Sequence, residues 1–326
     1  MDRRAFVGGT LSLLATPLAT EAQTGGRLPT VGFLGLRDTG SIGREFYGRL
    51  RELGWTEGQT VRIERALWDE HRDRISELAT DLVSRQVTVI LAVGPDAIAA
   101  ARIATYTIPI VMLYAADPVR FGYVQSLARP GGNVTGLTWD GGAFTMSGKT
   151  LEILRDAFPR FRRIAVLWTR DNPSHPPYVQ AAEVAARRLG MTVLSVPYAG
   201  TAELDGAFGG IRRERAELLV VYPDWLTSPS WEQITRLATA SRLPVLVAEA
   251  DATAWNGAVL RFGPRTIGMP ARAAEFVDRI LRGAKPAELP VEQPTRYGLV
   301  VDLRAAKSLG LTIPPEVLAR ADEIIK

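Results

Sequence analysis

Two stretches of this chain echo each other, and the echo narrows the folds open to it. Val87-Thr-Val-Ile-Leu-Ala-Val-Gly-Pro-Asp96 and Glu217-Leu-Leu-Val-Val-Tyr-Pro-Asp224 are short apolar runs, rich in β-branched residues, that stop at Pro-Asp. Such a run suits a strand buried on both faces of a parallel sheet. Proline lacks the N–H that would extend the ladder but fits the first turn of a helix, so each unit reads as strand, tight turn, helix. The next strand is echoed too, Ile108 to Asp117 resembling Leu243 to Asp251. One α/β layout therefore reads as occurring twice, although alternating strands and helices always carry some self-similarity. In open parallel sheets the ligand sits outside the carboxyl ends of the strands. Here those ends are Gly94 to Asp96, Ala115 to Asp117, Pro223 to Trp225 and Ala248 to Asp251. Two lobes with facing strand ends would enclose a cleft.

Apolar periodicity fills in the rest. Thr30 to Leu36 reads as the first strand, and Ile42, Phe46, Leu50 and Leu53 recur at helical spacing up to Gly54. Val61 to Leu67 alternates as a strand, and Ile75, Leu78, Ala79, Leu82 and Val83 form one face of a helix. Phe121 to Ala128 reads as a short helix and Asn133 to Trp139 as a strand. The same alternation resumes after Gly141-Gly142, with strands at Ile164 to Trp168, Met191 to Pro197, Glu217 to Tyr222, Val245 to Ala248 and Gly257 to Phe262. Ala274, Val277, Ile280 and Leu281 mark a long helix, Pro286 to Pro294 an extended linker, and Tyr297 to Val301 another strand. Leu303 to Leu309 and Glu316 to Ile325 read as closing helices. A single sheet of about a dozen strands would be unusual, so the expectation is two Rossmann-like α/β lobes, each with a parallel sheet, joined by a multi-strand hinge. The first lobe takes residues 28–138 plus about 262–290, the second 140–258 plus about 296–326, with crossings near Trp139, near Gly257 and along the linker.

The N-terminus speaks of compartment. Arg3-Arg4 precede an uncharged, mostly apolar stretch from Val7 to Ala19, and Thr20-Glu21-Ala22 offers small residues before a cut. Residues 1–22 thus read as an export signal, giving a periplasmic mature chain that starts near Gln23, by the general or the twin-arginine route. No later segment is long and apolar enough to cross a membrane, so no stable insertion is expected after cleavage. The net charge of +4 is spread over pairs such as Arg162-Arg163 and Arg212-Arg213, the pattern of solvated helix faces and not of a nucleic-acid stripe. Cysteine is absent, which excludes disulfides, thiolate metal sites and cysteine nucleophiles.

Catalytic patterns are missing from the sequence. Of the two histidines, His71 lies in a charged segment, and His175 could face the cleft beside Asn172. No nucleophile elbow, zinc-protease motif or phosphate-binding loop occurs, and no acid cluster suits a metal, so no catalytic residue, metal or cofactor is assigned. Recognition chemistry remains. Helix N-termini expected after Gly94 and Ala116 would offer N–H groups to a carboxylate. Asp96, Asp117, Asp224, Glu249 and Asp251 could accept from an ammonium or hydroxyl, or simply cap helices. Trp139, Trp168, Trp225 and Trp255, with Tyr114 and Tyr222, fall at or just beyond strand ends, which suits either core packing or a pocket for a planar body.

With those residues in place, the chain resembles the ABC transporter substrate-binding family typified by tryptophan/tyrosine-type periplasmic binding proteins. The resemblance rests on Val31-Gly-Phe-Leu-Gly35, Leu53-Gly-Trp-Thr-Glu-Gly-Gln59, Ile108-Pro-Ile-Val111, Asp117-Pro-Val119, Arg129-Pro-Gly-Gly-Asn-Val-Thr-Gly136, Leu289-Pro-Val-Glu-Gln-Pro-Thr295 and Lys307-Ser-Leu-Gly-Leu-Thr-Ile-Pro-Pro315, in this order and spacing. It implies a type I periplasmic-binding fold, two lobes closing on a small molecule for delivery to a permease with its ATPase. It implies ligand contacts at Gly35 and Leu36, at Gly94, Pro95 and Asp96, at Ala115, Ala116 and Asp117, at Asn172, at Pro223 and Asp224, and at Ala248 and Glu249. Gly94-Pro95-Asp96 departs from relatives, which often carry a Thr or Ser hydroxyl there. The ligand expected is an aromatic or other small carboxylate, or an amino acid. The alternatives are a ligand-sensing domain for a signalling partner and a small-molecule hydrolase or transferase.

Overall fold

The computed structural model describes residues 28–38, 40–69, 71–139, 141–251 and 255–326, so the export signal expected at 1–22 lies outside the described residues. Five strands form the first sheet: β1 (Thr30–Gly35), β2 (Arg62–Leu67), β3 (Val89–Val93), β4 (Ile110–Ala115) and β5 (Val134–Thr138). Their spatial order is β2-β1-β3-β4-β5, all parallel. Helices α1 (Gly40–Glu52), α2 (Ile75–Ser84) and α3 (Pro95–Ala104) make the crossovers. Every residue of β1 is buried, as a strand covered on both faces requires.

The second sheet repeats that order with β6 (Arg163–Thr169), β7 (Thr192–Tyr198), β8 (Leu218–Val221), β9 (Val245–Val247) and β10 (Leu260–Pro264), arranged β7-β6-β8-β9-β10 and mutually parallel. The two echoed runs thus become β3 and β8, in equivalent places. Helices α4 (Ala143–Ala157), α5 (His175–Arg188), α6 (Leu204–Arg213) and α7 (Thr227–Ala240) cover its faces. A wholly parallel sheet was expected, but this one is mixed. β11 (Tyr297–Asp302) pairs antiparallel with β10, and β12 (Glu323–Ile325) runs beside β11. The chain has crossed to the first half and back before β11, so it re-enters the sheet from the opposite end.

The crossings follow from strand membership. After β5 the chain passes to α4, after β10 it passes at 265–268 to α8 (Met269–Leu281), and residues 293–296 lead back to β11. α8 packs on α1 against the first sheet, burying Ala273, Ala274, Phe276 and Val277 with Phe46 and Leu50. Arg49 pairs with Glu275 at 2.9 Å, and the Trp55 indole N–H donates to Asp278 at 2.8 Å. Gly257 is not a crossing, because β9 and β10 on either side of it are neighbours in one sheet, and β10 carries Phe262 to Pro264 within the second sheet.

One expected helix is absent and another is cut short. Phe121 to Ala128 forms turns, since Tyr123 and Val124 both donate to the Pro118 carbonyl and Gly122 takes a φ of 68°. The last stretch is α10 (Pro315–Leu318) and then β12 rather than one helix, drawn out by pairing with β11 beyond α9 (Leu303–Ser308).

One irregularity positions a side chain. Met112 pairs with Gly136 but Ala115 pairs with Thr138, so β4 carries one extra residue, a bulge, where Tyr114 takes a φ of 64°. Gly136, at φ 126°, permits the close approach, because an added Cβ would sit 2.3 Å from the Met112 carbonyl oxygen. Gly136→Ala should therefore destabilise the fold by about 3 kcal/mol or more, with a correspondingly lower midpoint in chemical denaturation.

Candidate functional site

Each sheet reverses its winding once, between β1 and β3 in the first and between β6 and β8 in the second. The carboxyl ends beside these points open a crevice in any doubly wound sheet. Here they border one shared cavity of about 760 Å³. Leu36 after β1, Gly94, Pro95 and Asp96 after β3, and Ala116 after β4 line it from the first half. Asn172 after β6, Pro223 and Asp224 after β8, and Ala248 and Glu249 after β9 line it from the second. These are residues expected from sequence. Three others are not brought there. Gly35 ends β1 with its Cβ position against the Phe33 ring, and Ala115 is fully buried within β4. Asp117 is exposed and accepts the Arg120 N–H at 3.1 Å, closing a turn. No helix starts after Ala116, so one of the two N-termini expected to receive a carboxylate does not exist.

The acids around the cavity differ in what holds them. Asp96 is neither cap nor free. Arg72 grips it through Nη2 at 2.6 Å and Nε at 3.1 Å. The same Nη2 donates to the Asp171 carbonyl at 2.9 Å in the other half, and the guanidinium lies 5.4 Å from the Trp225 ring centroid. Asp224 accepts from the Leu226 and Thr227 N–H groups and the Thr227 hydroxyl, opening α7 as a cap would, and from Asn172 Nδ2 at 3.2 Å. Burial alone would raise Asp251, but its bonds from Arg265 and the Thr266 and Ile267 N–H groups outweigh that and hold its carboxyl below the usual range. Glu45 accepts the Gly268 N–H at 2.9 Å. Among the described residues Glu249 accepts one hydrogen bond, from the Trp255 indole N–H at 2.8 Å. Burial pushes its carboxyl above the usual range, with Asp251 adding to the rise while Trp255 and Arg261 oppose it.

Aromatic side chains make much of the wall. The bulge turns Tyr114 to the cavity, edge-on to Trp139 at 6.3 Å between centroids. Tyr178 and Tyr222 meet at 5.5 Å, and the Tyr222 hydroxyl lies 2.9 Å from Ser147 Oγ. Trp255 packs edge-on to Trp231 at 5.0 Å. Trp168, grouped with these from its place at a strand end, lies elsewhere and donates to Ser195 Oγ. His175 does border the cavity. Its Nδ1 accepts the Thr169 N–H at 3.0 Å, and burial lowers its pKa, so the ring stays neutral near neutral pH.

Sequence reading missed Glu45, Trp68 and Tyr178, which also line the cavity. Trp68 follows β2 as Trp139 follows β5, so the same strand-end signal was there to find it. Tyr178 stands three residues beyond His175, one turn along α5. Glu45 stands three beyond Ile42 on α1 in the same way.

The family model described as ABC transporter substrate binding protein matches residues 44–325. The chain belongs to that family. Among its relatives, the tyrosine-binding protein of Clostridioides difficile strain R20291 is 23% identical over 266 residues, covering 82% of this chain and 75% of the relative. A conserved domain protein of Vibrio cholerae superposes with a TM-score of 0.82 at 23% identity, covering 91% of this chain and all of that one. The ABC domain of Streptococcus pneumonia in complex with L-Trp gives 0.81 at 22% identity, covering 92% and 100%. The fold is that of type I periplasmic binding proteins. In this family member the cavity between the halves joins aromatic walls to acids of unequal compensation.

Glu249 yields a stability test. A carboxyl raised in the folded state contributes stability below its unfolded pKa and loses it as pH rises through the folded value. Glu249→Gln should leave the melting temperature unchanged near pH 4 and raise it increasingly towards pH 8, as followed by circular dichroism. A constant offset at all pH values would show that burial of this charge does not govern the effect.

Proposed function

We propose that this protein is the exported solute receptor of an ABC importer, a binding protein and not an enzyme, which holds one small molecule between its halves and presents it to a permease with its ATPase. The observation that carries this reading is the cavity itself, bordered by strand ends of both sheets. Its volume of about 760 Å³ suits a small organic molecule. Family membership supports the transport role, and the expected signal at 1–22 supports a periplasmic location. The names carried by relatives, a tyrosine-binding protein and an L-Trp complex, support a ligand with an aromatic or other planar body, which Tyr114, Trp139, Tyr178, Tyr222 and Trp255 would flank.

On this reading the two halves are lobes, the first from 28–138 with α8 and the second from α4 to β10 with β11 to the end. Residues 139, 141–142, 265–268 and 293–296 form the hinge. Closure brings the lobes together on ligand, and Arg72 is the latch, anchored on Asp96 and reaching the Asp171 carbonyl and Trp225.

Native mass spectrometry of the protein as purified should show one retained small molecule per chain. Small-angle scattering should then give a smaller radius with that molecule than after its removal by unfolding and refolding. An identical profile in both states would overturn the hinged receptor. Arg72→Ala should weaken ligand binding about tenfold, a loss of about 1.4 kcal/mol, and enlarge the ligand-free radius. N-terminal sequencing of the exported protein should begin near Gln23, and an intact Met1 would contradict export.

A further inference from the structure

From the charge and bonding pattern of this cavity we infer that its ligand is an organic amine of net positive charge, with Glu249 holding the ammonium and the aromatic walls enclosing the body. This rests on the receptor reading above and narrows it to a ligand class.

The described lining contains five carboxylates, Glu45, Asp96, Asp224, Glu249 and Asp251, and neither lysine nor arginine. Two of them already have a cation, since Arg72 holds Asp96 and Arg265 holds Asp251. Asp224 is met by backbone and side-chain donors where α7 begins, and Glu45 by one backbone N–H. Glu249 shares with Glu45 a single hydrogen-bond donor and no ion pair among the described residues, and it is set apart by burial, which pushes its carboxyl up. Its bond from Trp255 engages only Oε2. A carboxylate removed from water is costly, Arg261 and Trp255 offset that cost only in part, and a cation delivered by the ligand would offset more of it. Tyr114, which lines the same cavity, feels the charges of Glu249, Glu45 and Asp251 together, so these acids converge on one region.

Two polar groups on lining residues are unpaired. Ser174 is 5% exposed and lines the cavity, yet its hydroxyl has no hydrogen-bond partner among the described residues. The Trp225 indole N–H, also on the lining, has none either. Buried polar groups are rarely left unpaired. Both atoms are themselves enclosed by the wall, so neither selects the ligand. A free carboxylate on the ligand would enter a cavity whose described charged groups are acids. Aromatic faces add to the preference, because their quadrupole attracts an ammonium and repels an anion.

The test uses the mature protein stripped of retained ligand and titrated by tryptophan fluorescence and calorimetry. The probes are matched sets: tyramine, L-tyrosine and 3-(4-hydroxyphenyl)propionate, then tryptamine, L-tryptophan and indole-3-propionate. At least one amine should bind ten or more times as tightly as its amino acid, and the propionates should be weakest. Glu249→Gln should reduce amine affinity tenfold or more without altering propionate binding, and Glu249→Asp, which keeps the charge, should recover part of the loss. Both variants should keep the wild-type circular dichroism spectrum. An amino acid or propionate that binds as tightly as its amine would overturn the inference while leaving the receptor reading intact. So would unchanged amine affinity in Glu249→Gln. Failure of every probe would also overturn it, and the receptor reading would still be judged by the retained molecule and the scattering change.

Discussion

A parallel strand cannot turn straight back into its neighbour. The chain must leave the carboxyl end, cross the face of the sheet as a helix and re-enter at the other edge. Every strand-to-helix loop of such a sheet therefore collects along one edge, and where the winding reverses, two of them splay apart. This molecule meets that constraint twice, with β1 and β3 in one sheet and β6 and β8 in the other. The splayed loops of both sheets border one cavity, so residues as distant in sequence as Leu36, Asp96, Asn172 and Asp224 become neighbours of the same space. The swap of α8 onto the first sheet and the return to β11 leave three chain segments between the halves.

Electrostatics then distinguishes the acids that this topology gathers. A carboxylate at the edge of a protein is stabilised by whatever donors its loop provides. Asp224 receives the N–H groups that open α7, Asp251 an arginine and two N–H groups, and Asp96 an arginine shared with the opposite half. Glu249 receives an indole N–H and the charge of Arg261, and burial outweighs both. Residues of similar appearance in the sequence thus carry different chemical loads, and the one that burial raises stands among aromatic rings. His175 adds no charge, since its Nδ1 is occupied as an acceptor and burial opposes protonation.

The wall that faces these acids depends on backbone detail. Tyr114 belongs by pattern to a strand, yet one extra residue in β4 and a left-handed φ turn it to the cavity. Gly136 permits this by accepting a close Met112 carbonyl where a side chain could not fit. The conformation is unfavourable for a tyrosine taken alone, and the surrounding sheet maintains it.

The two echoed runs, the strand-end tryptophans and the ordered motifs from Val31 to Pro315 were sufficient, without coordinates, to indicate two α/β halves, a family and ten of the residues that line the cavity. That much is legible because burial on both faces of a parallel strand demands continuous apolar runs, and because loops follow such runs in sequence. What sequence could not decide was set by partners far along the chain. Glu316 to Ile325 has helical spacing, but pairing with β11 draws its end into a strand. Gly257 looked like a crossing, but β10 continues in the same sheet as β9. Asp96, Asp117 and Asp224 look alike beside their prolines. Only the tertiary structure gives the first to Arg72, leaves the second on the surface and sets the third beneath α7. A side chain's local pattern states what it can do, while its burial and its partners, contributed by distant segments, decide which of those things it does.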